Sequence, residues 1–197
     1  MLFVIRHGLT AWNAPPKRCQ GNLPVELCDE GRDAARNLAP TLPSFQVAYT
    51  SHLVRARETA EILLSAAPSP PPVRVDRRLA EAACGSWEGL FFSEIKQRWP
   101  EEWAAVRSDD VAFQFPGGDA LEAVRARFSD ALAELDERHR DDLALVVTHG
   151  GPMRLYLRQR GLLRSSGPGS PPGNLSGFRL EGGRVELLAS SPDPFSV

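Results

Sequence analysis

Apolar residues along this chain follow two rhythms. Short apolar runs at 2–5, 45–49, 73–75 and 143–147 have the length of buried strands. A later pair, 177–180 and 184–188, flanks Gly182-Gly183 and predicts a hairpin. Between the runs, apolar positions recur with helical spacing near 30–39, 53–66, 89–107, 119–138 and 151–162. The clearest case is DALEAVRARFSDALAEL, where Leu121, Val124, Phe128, Leu132 and Leu135 share one face. Asp119 as N-cap with Glu122 three residues on predicts a capping box there. Strands alternating with helices predict an α/β fold of three layers, with a mostly parallel central sheet, helices on both faces and a C-terminal hairpin.

Polar residues break this pattern at particular places. The first run stops on Arg6-His7-Gly8, the second runs into SHLVRARET at 51–59, and the fourth ends on Thr148-His149-Gly150-Gly151. A parallel sheet brings the carboxyl ends of its strands to one edge, so these three clusters converge. Glu81, in LAEAACGSWEG, supplies a carboxylate. Two arginines, two histidines and one carboxylate in a crevice point to an anion handled by nucleophilic chemistry, and a phosphate monoester fits best.

Composition narrows the partners. At 197 residues and 42% apolar content the chain suits one domain spanning 1–197, and there is no internal repeat or linker. A net charge of −2 argues against nucleic acid or a membrane surface and leaves a small phosphorylated metabolite as the expected partner. The oligomeric state is open, a homodimer included. Cys19, Cys28 and Cys84 have no CxxC spacing and imply a reducing compartment rather than a disulfide framework. The four-residue apolar start runs straight into Arg6, unlike a secretory leader, and no stretch approaches the ~20 apolar residues of a membrane span. A soluble, cytoplasmic protein is expected. Two Pro/Gly-rich stretches, 67–72 and 165–174, read as loops; the second is either a surface connection or part of the rim of the site.

Several motifs occur in order: RHGLTAWN from Arg6, Gln20-Gly21, TSHLVRARETA from Thr50, LAEAACGSWEG from Leu79, PGGD at 116–119 and VVTHGG from Val146. Together they resemble the histidine phosphatase superfamily, in its phosphoglycerate-mutase-like phosphatase branch. The resemblance implies that His7 is the nucleophile, Arg6 and Arg55 the phosphate clamp, His149 the second histidine of the phosphate pocket, and Glu81 the proton donor. Asn13, Gln20, Gly21 and Gly150 are then candidates for binding the substrate, and a small helical cap at about 86–118 lies over the leaving group.

Elementary chemistry asks for the same residue types. Arginine's planar fork meets two phosphate oxygens at once, and an unprotonated imidazole nitrogen can attack phosphorus to give a phosphohistidine. An alkoxide leaves poorly without a proton, so a carboxyl group must be neutral as the alcohol departs; the dianionic substrate favours that by like-charge repulsion. The arginines supply the positive field, no histidine has HxH or HExxH spacing, and neither metal nor cofactor is expected. Glu88 reads as structural, Arg57 as solvated, and His52 and His139 as surface residues. Phe91, Phe92, Trp99, Trp103, Phe113 and Phe115 read mainly as local core. Leu9, Cys28 and Asp119-Ala120 depart from the family's usual residues. Phosphoglycerate mutase is the rival activity, and a silent phosphate-binding module on the same fold is a third reading.

Overall fold

The computed structural model describes residues 1–108, 110–163 and 172–188. In chain order the elements are β1 (Leu2–Arg6), α1 (Asp29–Leu38), β2 (Val47–Thr50), α2 (Val54–Leu64), β3 (Val73–Val75), α3 (Phe92–Arg98), α4 (Pro100–Ser108), α5 (Leu121–Arg138), β4 (Ala144–Thr148), α6 (Gly150–Gln159), β5 (Gly177–Glu181) and β6 (Arg184–Leu187). The six strands form one sheet in the order β3-β2-β4-β1-β5-β6. The first four in that order run parallel, and the hairpin β5–β6 adds antiparallel to β1.

Alternation within the inner strands explains the unbroken apolar runs. Leu2 and Val4 of β1, with Val146 of β4, face Phe128, Leu132 and Leu135 of α5 and Met153 and Leu157 of α6. Phe3 and Ile5, with Leu145 and Val147, face Ala56, Ala60 and Leu63 of α2 and Ala35 of α1 on the opposite side. A strand covered on both faces has no solvent-facing position left to be polar. Burying a side chain such as Phe128, fully shielded here, contributes about 1.5–3 kcal/mol.

Register places the chemistry. β1 and β4 pair with Arg6 opposite Thr148, so His7 and His149 emerge side by side, one residue past the last paired position. Thr50 pairs with Val147, which brings Ser51 to the same edge.

Three expectations are corrected. The helix expected at 89–107 is two helices, α3 and α4, because Pro100 cannot continue α3 and opens α4. No capping box forms at α5: its N-cap is Ala120, and the Asp119 carboxylate instead accepts from the Ala83 N–H at 3.0 Å. His139 is buried, not at the surface; the Tyr49 hydroxyl at 2.9 Å and the Asp142 carboxylate at 2.8 Å satisfy its two ring nitrogens. The loop at 67–72 is as expected, whereas 164–171, most of the second Pro/Gly stretch, lies outside the described residues.

Of the aromatic residues between Glu81 and α5, four pack around one indole, whereas Phe92 is exposed rather than part of the local core. Trp87 has ring centroids of Trp99, Trp103, Phe113 and Phe115 at 6.1, 6.5, 5.8 and 5.3 Å. This third cluster includes Cys19, Cys84, Ile95, Val106 and Leu155.

Candidate active site

His7 is held from every side. Its backbone N–H donates to the Thr148 carbonyl at 2.9 Å, and the Asn174 amide donates to its carbonyl at 2.9 Å. Its Nδ1 lies 2.7 Å from the Gly8 carbonyl. A carbonyl oxygen only accepts, so Nδ1 carries the proton and Nε2 keeps its lone pair. Gly8 is fixed in turn: its N–H donates to the Thr59 hydroxyl at 2.9 Å, and that hydroxyl donates to the Arg55 carbonyl at 2.6 Å.

His149 is fully buried beside His7, with ring centroids 5.1 Å apart. Its Nε2 sits 2.7 Å from the Ser51 hydroxyl, which also accepts the Leu53 N–H at 3.2 Å. One hydrogen bond thus joins Ser51 to Nε2, and Nδ1 is a buried atom that meets no partner among the described residues.

Arg55, in the first turn of α2, is 1% exposed. Its two terminal nitrogens donate to the carbonyls of Gly21 at 2.7 Å and Leu23 at 3.1 Å. Burial pushes its pKa down to about 10, opposed by the Glu81 charge, so the guanidinium stays protonated at neutral pH. Arg6 donates to the Pro172 carbonyl at 3.1 Å. Glu81 accepts the Ala82 N–H at 2.9 Å on one oxygen and the Gly151 N–H at 3.1 Å on the other. A Cβ on Gly151 would lie 2.2 Å from a Glu81 oxygen, so only glycine lets this carboxylate come so close to α6.

Glu88 has a different setting. One of its oxygens accepts the N–H groups of both Asn22 and Cys84 at 2.9 Å, tying two loops together. It occupies the space that a Gly21 side chain would need. This is the structural reading of Glu88.

A cavity of ≈ 810 Å³ is bordered by Arg6, His7, Asn13, Gln20, Gly21, Arg55, Glu81 and Gly150 among others. His149 stands beside His7 but does not border it. Asn13 accepts on Oδ1 from the Thr10 N–H and hydroxyl, both at 3.1 Å, which leaves its NH2 group as the donor it can offer. The Gly21 carbonyl is taken by Arg55. Ser51, Thr59 and Asn174 orient the site and were not among the residues picked from sequence. Their partners are 51 to 167 positions away along the chain, and an isolated Ser, Thr or Asn carries no periodic signal.

Burial, then Arg55 and Arg6, hold the His7 imidazole well below its ordinary 6.5 against the opposing Gly8 carbonyl. Burial, then Arg55, His7, Arg6 and Arg127, do the same to His149. Unfolded, each takes up a proton near 6.5. The stability these neutral imidazoles carry is therefore complete above that pH and is lost as pH falls toward the depressed folded values. The urea midpoint should fall from pH 7 to pH 5, with a limiting slope of about 2.7 kcal/mol per pH unit for two refused protons. The double variant His7→Gln, His149→Gln should show a flatter profile. A wild-type midpoint constant across that window would contradict buried neutral imidazoles.

Among the described residues, no group of three or more His, Cys, Asp or Glu is placed to hold a metal ion, and no helix is long and apolar enough to cross a membrane. A family model described as the histidine phosphatase superfamily (branch 1) matches residues 2–188. Phosphoglycerate mutase-like protein 4 of Arabidopsis thaliana is 38% identical over 164 residues, covering 81% of this chain and 70% of that one. The metal-independent phosphoserine phosphatase of the same plant is 33% identical over 162 residues, covering 80% and 67%. Among solved structures, Bacillus stearothermophilus YhfR superposes with a TM-score of 0.80 at 28% identity, covering 95% of each chain.

Proposed function

The chain belongs to branch 1 of the histidine phosphatase superfamily, and on that premise we propose that it is a phosphatase of small phosphomonoesters that works through a phosphohistidine on His7 without a metal. The observation that carries this reading is the His7 imidazole itself. Its Nδ1 is held on the Gly8 carbonyl, and the residue borders a cavity also lined by Arg6, Arg55 and Glu81. Relatives named as phosphatases support the hydrolytic outcome.

In the proposed reaction the phosphoryl oxygens accept hydrogen bonds from Arg6 and Arg55, whose charges offset the negative charge that spreads over them. His7 Nε2 attacks phosphorus as the ester oxygen leaves on the opposite side, and protonated Glu81 gives that oxygen its proton. His149, buried with its ring centroid 5.1 Å from that of His7, is the second histidine of the phosphate pocket and acts through its packing on His7. Asn13 and Gln20 add neutral polar contacts, while Gly21 and Gly150 let the backbone approach. The Glu81 carboxylate then takes a proton from a water that attacks phosphorus, forming the new P–O bond as the N–P bond to His7 breaks. Phosphate departs, and His7 and the protonated carboxyl are restored. The single-domain reading, with 86–118 as a cap over the leaving group, belongs to the same proposal. It is supported by Phe92, Trp103, Val106 and Phe115, which border the cavity. Three free cysteines support a reducing, cytoplasmic setting.

The test is release of inorganic phosphate from p-nitrophenyl phosphate and a panel of phosphometabolites, with and without 2,3-bisphosphoglycerate as primer. Primer-independent release is expected. Primer-dependent isomerisation of phosphoglycerate would make the protein a mutase, and neither activity would make it a binding module. EDTA should leave the rate unchanged; a loss restored by magnesium, manganese or zinc would overturn the metal-free mechanism.

A further inference from the structure

We propose, resting on the phosphatase reading, that the substrate is the phosphomonoester of an apolar, ring-sized alcohol that carries a second anionic group at its far end. The cavity of ≈ 810 Å³ lies in the upper part of the ~300–1,000 Å³ range of sites that take drug-sized ligands. A phosphoryl group on a compact polar fragment would leave much of it unfilled.

The walls divide by chemistry. The neutral polar side chains, Asn13, Gln20 and Asn174, belong to the segments that hold His7 and Arg55. The rest of the lining is largely apolar, with Leu9, Trp87, Trp103, Val106, Phe115 and Leu155, and includes the cation Arg154. Leu9, one of the departures from the family's usual residues, is 7% exposed and presents only a hydrocarbon surface. Cys19 and Cys84 complete this wall as buried thiols, and the neighbouring Cys19 and burial hold the Cys84 thiol well above its ordinary pKa, so it stays neutral. Against these hydrocarbon surfaces the hydroxyls of a sugar would lose water, whereas an aryl or alkyl body loses nothing.

Charge at the outer end adds the second requirement. Glu81 is the sole carboxylate among the described lining residues, while Lys17, Arg18 and Arg107 all border the cavity. The Arg18 guanidinium lies 4.0 Å from the Phe91 ring centroid, and that of Arg107 lies 5.9 Å from that of Trp103. Lys17 and Arg107 are exposed, so these cations mark the mouth. The Phe92 N–H donates to the Lys17 carbonyl at 3.0 Å, which holds this lip against α3. An apolar body reaching from His7 to the mouth would bring a carboxylate or second phosphate to them.

The experiment compares kcat/KM for ethyl phosphate, 3-phenylpropyl phosphate, 3-(4-carboxyphenyl)propyl phosphate and phosphoserine. The first three release alkanols of similar basicity, so differences among them report binding of the leaving group rather than bond cleavage. The phenylpropyl ester should exceed ethyl phosphate and phosphoserine by roughly 10- to 100-fold. The carboxylate should add a further several-fold at low salt. Trp103→Ala should shrink the first ratio, and the pair Arg18→Gln, Arg107→Gln should bring the second near one. Phosphoserine or ethyl phosphate turned over as well as the phenylpropyl ester, or a carboxylate that brings no gain, would overturn this inference alone. Failure to hydrolyse any of the four, and p-nitrophenyl phosphate as well, would overturn the phosphatase reading with it.

Discussion

His7→Ala is expected to abolish turnover, by on the order of 10⁴-fold or more, and to abolish the phosphoenzyme with it. No other described side chain on the cavity wall offers an unprotonated imidazole nitrogen, since His149 does not border it. The variant should keep its fold. The Gly8 carbonyl that loses the imidazole N–H retains the Asn174 amide at 3.1 Å, so no buried acceptor is orphaned. Circular dichroism and a thermal melt check that point. Rapid acid quench of the wild type with substrate, transferred at once to alkali, should trap an adduct that survives base and decays in acid, as an N–P bond does. His149→Ala should slow turnover yet still form the adduct, because the attacking nitrogen belongs to His7. Near-normal turnover in His7→Ala, or an intact adduct in that variant, would remove His7 as the nucleophile.

The legible parts of this protein are those in which one physical requirement dominates a contiguous stretch. β1 and β4 are covered on both faces, so their runs are unbroken and their ends stand out wherever a charge appears: Arg6-His7 and Thr148-His149. The parallel register then brings these ends together without further information. What stayed hidden depends on partners distant in the chain. Asp119 has the residue type and spacing of a cap, yet its carboxylate serves the Ala83 N–H on another segment. His139 resembles a surface residue until Tyr49, 90 positions away, meets its ring. Pro100 was visible in the sequence, but the apolar period continues across it, and only the break between α3 and α4 shows which signal won. Leu9 was legible as a departure but not as a wall; its place in the cavity required the fold.

Two carboxylates, seven residues apart, compete for the role of proton donor, and leaving-group chemistry separates them. Glu81 borders the cavity, whereas Glu88 ties Asn22 to Cys84 through one oxygen. Glu81→Gln cannot give up a proton, so alkyl phosphates, whose alkoxides leave poorly, should lose roughly 10²- to 10⁴-fold in kcat/KM. p-Nitrophenyl phosphate, whose phenolate leaves unaided, should lose about tenfold or less. Both substitutions carry a structural cost that must be kept apart from this effect. Glu81 accepts a backbone N–H on each oxygen, so the amide introduced by Glu81→Gln would turn its NH2 toward one of them, at a cost of about 1–3 kcal/mol in stability. Glu88→Gln can keep its carbonyl on both N–H donors, and any loss of activity should fall equally on the two substrates. The measurement is thus the ratio of alkyl to p-nitrophenyl activity in each variant, read beside its thermal midpoint. Equal losses on both substrates in Glu81→Gln, or the split appearing in Glu88→Gln, would transfer the proton to the other carboxylate.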